Sequence, residues 1–137
     1  MRVQSFALAI TAAMLLSILP AHAHHSFGGT YNVDKQVTIK GKMVEVSLRS
    51  PHSFFYIEAA DAKGTTQRWA IEGPSAAQFA EQFAQSDVNK GVFKIGDAVE
   101  VIGNPSRSPN STRARLIKIT RPTDGKTWGN RAGETVD

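Results

Sequence analysis

The 137-residue chain contains no cysteine. This absence excludes disulfide bonds, and it excludes sites built on thiolate ligands, such as zinc fingers and iron–sulfur clusters. Thiol-based redox chemistry is excluded for the same reason. Any metal ion bound by this protein must therefore be held by nitrogen, oxygen or thioether ligands.

Histidine is scarce as well, and its four copies are unevenly placed. Three of them lie close together, at His22, His24 and His25, and the fourth is His52.

The net positive charge of the chain is also small, since it has 16 Lys and Arg residues against 12 Asp and Glu residues. The basic residues are spread along the chain. A nucleic-acid-binding domain typically clusters its basic residues on one face. We therefore expect no nucleic-acid partner.

The first 23 residues have the three zones of a secretory signal peptide. Arg2 supplies the positive start, residues 6–19 are largely apolar, and Ala21-His22-Ala23 has the A-x-A cleavage pattern. The apolar run is shorter than the roughly 20 residues of a transmembrane helix. We expect cleavage and export to the periplasm, with an uncleaved anchor as the alternative. Cleavage would leave 114 residues (137 less 23) with no membrane span.

Five segments after the presumed cleavage site alternate apolar and polar residues, as β-strands do. In the first segment the apolar positions change parity after Met43, which predicts a β-bulge in a long, bent strand. Gly41 would ease that bend. The five predicted strands span residues 35–48, 52–60, 66–72, 98–103 and 113–120.

A helical period separates the third and fourth predicted strands. Ala76, Phe79, Ala80 and Phe83 recur at i, i+3, i+4 and i+7, which predicts an amphipathic helix of about three turns. The order β-β-β-α-β-β is that of a small five-stranded OB-like barrel. An open antiparallel sheet covered by one helix is the alternative. We therefore predict a mostly β domain over residues 35–121, preceded by a lead-in over 24–34 and followed by a polar C-terminal tail over 122–137.

Several motifs of the chain resemble those of the DUF6152 family of small exported bacterial proteins of unknown function. The matching segments include His24–Phe27, Trp69–Glu72, Ile95–Val99 and Gly103–Arg107. Ser50-Pro51-His52 stands where the family typically has Asn-Pro-His, so this chain departs at one position and keeps the histidine. The resemblance implies no established activity. Function must therefore be inferred from the chemistry of the residues.

Cleavage after Ala23 would make His24 the first residue, with a free α-amine beside its imidazole. The reference pKa of that amine is roughly 7.7–8.0, so it readily loses a proton to bind a metal. The His24 amine, the His24 imidazole and the His52 imidazole would together place three nitrogens in a T-shaped arrangement. This arrangement resembles the histidine brace of copper-dependent polysaccharide oxygenases. Nitrogen-rich tetragonal sites favour Cu(II). His25 is a third candidate, as a ligand or as an outer partner.

Zinc is the second candidate metal, with a carboxylate such as Asp34 completing its ligand set. Met43 is a possible soft ligand, although its position in a strand favours core packing. The competing interpretation is that the terminal histidines are solvated and that His52 merely caps the Pro51 turn. No hydrolase, metalloprotease, phosphate-loop or dinucleotide motif is present. We therefore expect metal sequestration or delivery rather than turnover, with a copper-dependent oxidase less favoured.

A metal-free function is the main alternative. Phe54 and Tyr56 should face outward on the second strand, where an OB-type barrel could present them to an envelope glycan, peptide or protein partner. The lead-in could equally cover these rings, and we favour that arrangement. The strand carboxylates are expected to be isolated and solvated; these are Glu45, Glu58, Glu72 and Glu100.

Overall fold

A computed structural model describes residues 27–79, 83–84 and 92–129. Two short helices lie in these ranges, α1 (Phe27–Thr30) and α2 (Ala76–Phe79). The strands are β1 (Val37–Ser47), β2 (Phe54–Ala60), β3 (Thr66–Glu72), β4 (Phe83–Ala84), β5 (Phe93–Lys94), β6 (Ala98–Pro105), β7 (Arg113–Arg121) and β8 (Lys126–Gly129). Neither helix of the described part is long and apolar enough to cross a membrane.

Five of these strands close into a barrel. The sheet order β3-β2-β1-β6-β7 is antiparallel throughout, and a parallel pairing of β3 with β7 joins its two ends. Apolar side chains that alternate along the strands fill the interior, as a closed barrel requires; these include Ile39, Met43, Phe55, Ile57, Ile71, Val101 and Ile119. The predicted mostly β, OB-like five-stranded barrel is confirmed.

Two β-bulges explain the changes of apolar phase. The pairing of β1 with β2 shifts register between Met43 and Glu45, which is the bulge that the sequence predicts. A second shift, where β7 pairs with β6, passes over Ile117. Because of it, Leu116 and Ile119 are both buried although they differ in parity. The second bulge resolves an ambiguity in the fifth strand that the sequence pattern leaves open.

Two segments differ from their predictions. The predicted three-turn helix is observed only as α2, because Phe83–Ala84 forms β4 and pairs in parallel with β5. Helical spacing alone did not distinguish these two structures, since strand pairing depends on a partner far along the chain. The predicted polar tail is also structured in its first part, where β8 pairs with β7 and Trp128 packs against the core.

Backbone hydrogen bonds fix the lead-in to the barrel. The Asn32 N–H donates to the Pro105 carbonyl, and the Arg107 N–H donates to the Thr30 carbonyl, each at 2.9 Å. Tyr31 forms an isolated bridge with Ser106 between these bonds and is 1% exposed. The segment from α1 to Asn32 therefore lies against the end of β6, and it closes the rim of the barrel on that side.

Candidate metal site at the barrel rim

His52 lies in the loop between β1 and β2, at the barrel rim predicted for it. The residue that follows it anchors this loop, because Ser53 exchanges backbone hydrogen bonds of 2.8 Å with Gly73 and Pro74. The Ser53 side chain also lies 3.1 Å from both the backbone nitrogen and the oxygen of Arg49. His52 is thus held beside the end of β3, where Glu72 pairs in register with Phe54.

Glu72 is the buried charged centre of the site. Its Oε2 accepts a hydrogen bond from the Tyr31 hydroxyl and another from Arg113 Nη2 at 2.6 Å. Arg113 Nε donates to the Tyr31 hydroxyl at 2.7 Å, so the three side chains form a closed network. Glu72 is only 6% exposed, and the predicted solvated position for this carboxylate is wrong.

The second oxygen of Glu72 faces His52. The distance from Glu72 Oε1 to His52 Nδ1 is 3.7 Å, within ion-pair range and longer than a hydrogen bond. Nδ1 is shielded from solvent and has no hydrogen-bond partner in the described part of the chain. The His52 side chain as a whole is 33% exposed. The ring is therefore buried on its Nδ1 side and accessible elsewhere.

The lead-in reaches the same place. The ring of Phe27 lies edge-on to the imidazole of His52, with 5.1 Å between the ring centroids. The guanidinium of Arg115 lies over the same Phe27 ring, 3.9 Å from its centroid. A cavity of about 420 Å³ opens between these elements. Its lining comprises Phe27, Thr30, Tyr31, Pro51, His52, Phe54, Glu72 and Arg113. Phe27 of the lead-in thus lines the cavity together with His52.

The described residues do not complete a metal centre by themselves. Across residues 27–79 and 92–129, no group of three or more His, Asp or Glu side chains could hold a metal ion. His52 supplies one imidazole, and the predicted partners His24 and His25 lie outside the described residues. Asp34 is exposed and does not line the cavity, and Met43 is fully buried in the core. A metal ion held by His52 would need further donors from outside the described residues.

Arginine side chains cover the two aromatic residues of the alternative ligand surface. Arg113 lies over the ring of Phe54 at 5.0 Å, and Arg68 lies over the ring of Tyr56 at 4.6 Å. Both rings are partly buried. Phe54 also lines the cavity shared with the lead-in, whereas Tyr56 does not. One face of each ring is therefore already occupied by a cation.

Sequence reasoning did not assign Tyr31, Glu72 and Arg113 to the site. The predicted hairpin turn at Asp61–Gly64 could have placed Glu72 opposite Phe54, because a hairpin register follows from its turn. It could not have shown that Glu72 is buried. That burial depends on the lead-in, whose packing joins residues 41 positions apart, as in the contact between Tyr31 and Glu72.

Burial raises the pKa of the Tyr31 phenol well above its usual value, and the neighbouring Glu72 carboxylate adds to this effect. A tyrosine whose pKa is lower in the unfolded chain than in the folded protein contributes its full stabilisation at pH values below the unfolded pKa, which is near 10. That stabilisation is lost as pH rises above this value. We predict a fall in unfolding free energy between about pH 10 and 12, measured by urea denaturation, and a smaller fall in Tyr31→Phe. Equal slopes in both proteins would contradict this assignment.

Comparison with known proteins supplies a family but no activity. No curated protein matches the chain. Among solved structures, it is similar to the mitochondrial single-stranded DNA binding protein Rim1 of S. cerevisiae, with 11% sequence identity and a TM-score of 0.45. That similarity covers 63% of this chain and 92% of Rim1. The model of a family of unknown function, DUF6152, matches residues 13–115, which is more than half of the chain, and the protein therefore belongs to the DUF6152 family.

Proposed function

We propose that this protein is an exported, periplasmic copper-binding protein that uses His24 as its mature N-terminus and His52 as a second imidazole ligand. One observation carries the proposal: the partly exposed His52 imidazole lines a cavity that Phe27, only three residues after His24, also lines. A ligand a few residues ahead of Phe27 would therefore be within chain reach of His52.

Chain length limits how far the new terminus could lie from the cavity. His24 is three residues before Phe27, and an extended chain spans at most about 3.6 Å per residue. The His24 Cα must therefore lie within about 11 Å of the Phe27 Cα. The Phe27 ring lies edge-on to the His52 ring, and this contact supports a ligand set in which His24 reaches His52.

The donor chemistry favours copper over zinc. The α-amine and imidazole of His24, with the imidazole of His52, would offer three nitrogens, a set that suits tetragonal Cu(II). Zinc prefers a fourth protein ligand in a closed site. Asp34 is exposed and lies outside the cavity lining, and Glu72 already accepts hydrogen bonds from Tyr31 and Arg113, so neither carboxylate favours zinc.

Sequestration or delivery fits this arrangement better than turnover. Arg113 and Glu72 neutralise one another, and burial and hydrogen bonding keep Tyr31 protonated. With His52 serving as a metal ligand, none of these three cavity residues is left as an evident general base. We infer that the bound ion is the cargo of the protein, and that the aromatic and charged residues around it shape its binding site.

His52→Ala is expected to weaken Cu(II) binding to the processed protein by about thirtyfold, which is ~2 kcal/mol. The reason is the loss of one of three nitrogen ligands while the terminal amine and the His24 imidazole remain. Competitive titration against a copper chelator measures the affinity, and electron paramagnetic resonance counts the coordinated nitrogens. Ser50→Ala is the matched control, because Ser50 is exposed in the same loop. Equal affinity for wild type and a folded His52→Ala variant would contradict the proposal.

The alternative, a metal-free module for an envelope glycan, peptide or protein, makes a different prediction. His52→Ala should then leave copper uptake unchanged, whereas replacing Phe54 and Tyr56 should weaken binding of the partner. We favour the metal site because Arg113 and Arg68 cover one face of each of these rings. A flat ligand would have to displace them or use the opposite face.

A further inference from the structure

We infer that Glu72 is a positioning residue for His52, holding the imidazole in the tautomer that is protonated on Nδ1. The lone pair then lies on Nε2, which becomes the metal-binding atom. This inference deepens the proposed function and rests on it. It assigns a role to a buried carboxylate that the proposed ligand set does not use.

The position of Glu72 is fixed from one side. Its Oε2 accepts hydrogen bonds from the Tyr31 hydroxyl and from Arg113, and Arg113 also donates to the Tyr31 hydroxyl. The backbone of β3 pairs with β2 on one edge and with β7 on the other, so Glu72 sits between two strands. Rotation of the carboxylate away from its two donors would break both hydrogen bonds. Oε1 is therefore held facing His52.

Nδ1 of His52 faces an acceptor on a described residue, Glu72 Oε1. It is inaccessible to solvent and has no hydrogen-bond partner in the described ranges, and Glu72 Oε1 lies 3.7 Å away. A shift of less than about 1 Å would bring the pair to hydrogen-bond distance. Hydrogen bonds in ligand-free sites are often long and tighten when the ligand binds. Metal coordination on the far side of the ring would favour such a shift.

The chemistry of the two groups determines the tautomer. A carboxylate only accepts hydrogen bonds, whereas a neutral imidazole has one nitrogen that donates and one that accepts. The nitrogen beside Glu72 must then carry the proton. Metal-binding histidines commonly donate their second N–H to a carboxylate, which fixes the ring and raises the basicity of the ligating nitrogen.

Glu72→Gln is the informative substitution. Arg113 can only donate, so the glutamine must turn its carbonyl oxygen toward Arg113 and its NH₂ toward His52. Nδ1 would then have to accept, and the proton would move to Nε2. An amide in place of a carboxylate beside histidine is known to select the wrong tautomer in this way.

The tautomer can be measured without any metal. In metal-free protein labelled with ¹⁵N-histidine, at a pH where the His52 ring is neutral, wild type should show a protonated Nδ1 and an unprotonated Nε2. Glu72→Gln should show the reverse. In the processed variant, Cu(II) affinity should fall about 10- to 100-fold. Glu45→Gln is the matched control, because Glu45 is a half-exposed carboxylate paired with Arg68 outside the cavity lining.

The outcomes separate this inference from the proposed function. If wild-type His52 is protonated on Nε2, or if a folded Glu72→Gln variant keeps the wild-type tautomer, the positioning role is refuted, whether or not copper binding requires His52. If copper binding is independent of His52, the proposed function fails, whatever the tautomer. The wild-type measurement alone tests the inference should Glu72→Gln not fold.

Discussion

Acetylation of the His24 α-amine in the processed protein is expected to weaken Cu(II) binding by more than about a hundredfold, or ~2.7 kcal/mol. The modification replaces the α-amine of His24 with an amide, which cannot donate a lone pair until it loses a far less acidic proton. It also removes the chelate ring between the amine and the imidazole of the same residue. All three histidine side chains of the processed protein remain, so a loss of this size would identify the amine as a ligand.

The comparison requires two proteins that differ only at the terminus. Both begin at His24, one of them carries an acetyl group on its α-amine, and intact mass confirms each terminus. Repeating the acetylation in a His52→Ala background completes a double-mutant cycle. If the amine and His52 bind one ion, the two losses should not add. Equal affinity for both termini would exclude the terminal amine, and strictly additive losses would place it and His52 in separate sites.

Strand positions could be predicted because each strand has one buried face. The observed β3 spans Thr66–Glu72, the residues predicted, and the change of phase after Met43 marks the observed bulge. Alternation of apolar and polar residues indicates which face of a single strand is buried, but it does not indicate which strand is its partner. The helix between the third and fourth strands was predicted too long for the same reason. A local period cannot show that Phe83 pairs with Phe93 instead.

The site could be predicted only in part. His52 was identified by elimination, because so few nitrogen ligands exist in the chain, and the predicted end of the first strand gave its rim position. Glu72 was missed because its environment is assembled from three distant segments, which contribute Tyr31, Arg113 and His52. Sequence alternation places Glu72 on the outer face of the barrel. Only the folded lead-in converts that outer position into a buried one.

Gly41→Ala is expected to lower the free energy of unfolding by about 3 kcal/mol, at the upper end of overpacking effects. A Cβ at this position would fall on the Glu58 carbonyl oxygen and lie 2.6 Å from Ile57 Cγ2. Glu58 and Ile57 belong to β2, while Gly41 pairs with Val99 of β6 on its other edge. Because the obstacle includes backbone, β1 and β2 would have to separate. Thermal denaturation should show a fall in Tm of roughly 15 °C.

Gly29→Ala provides the control, because a Cβ there meets no atom within 4 Å. Its effect should stay within about 0.5 kcal/mol, as for an ordinary surface substitution. A Gly41→Ala protein as stable as Gly29→Ala would show that β1 and β2 can separate locally at no cost. The bend of β1 would then not depend on the close approach at Gly41. At a temperature where Gly41→Ala is still folded, its copper affinity should match that of wild type. The substitution lies in the barrel wall and leaves the proposed ligands at the rim unchanged.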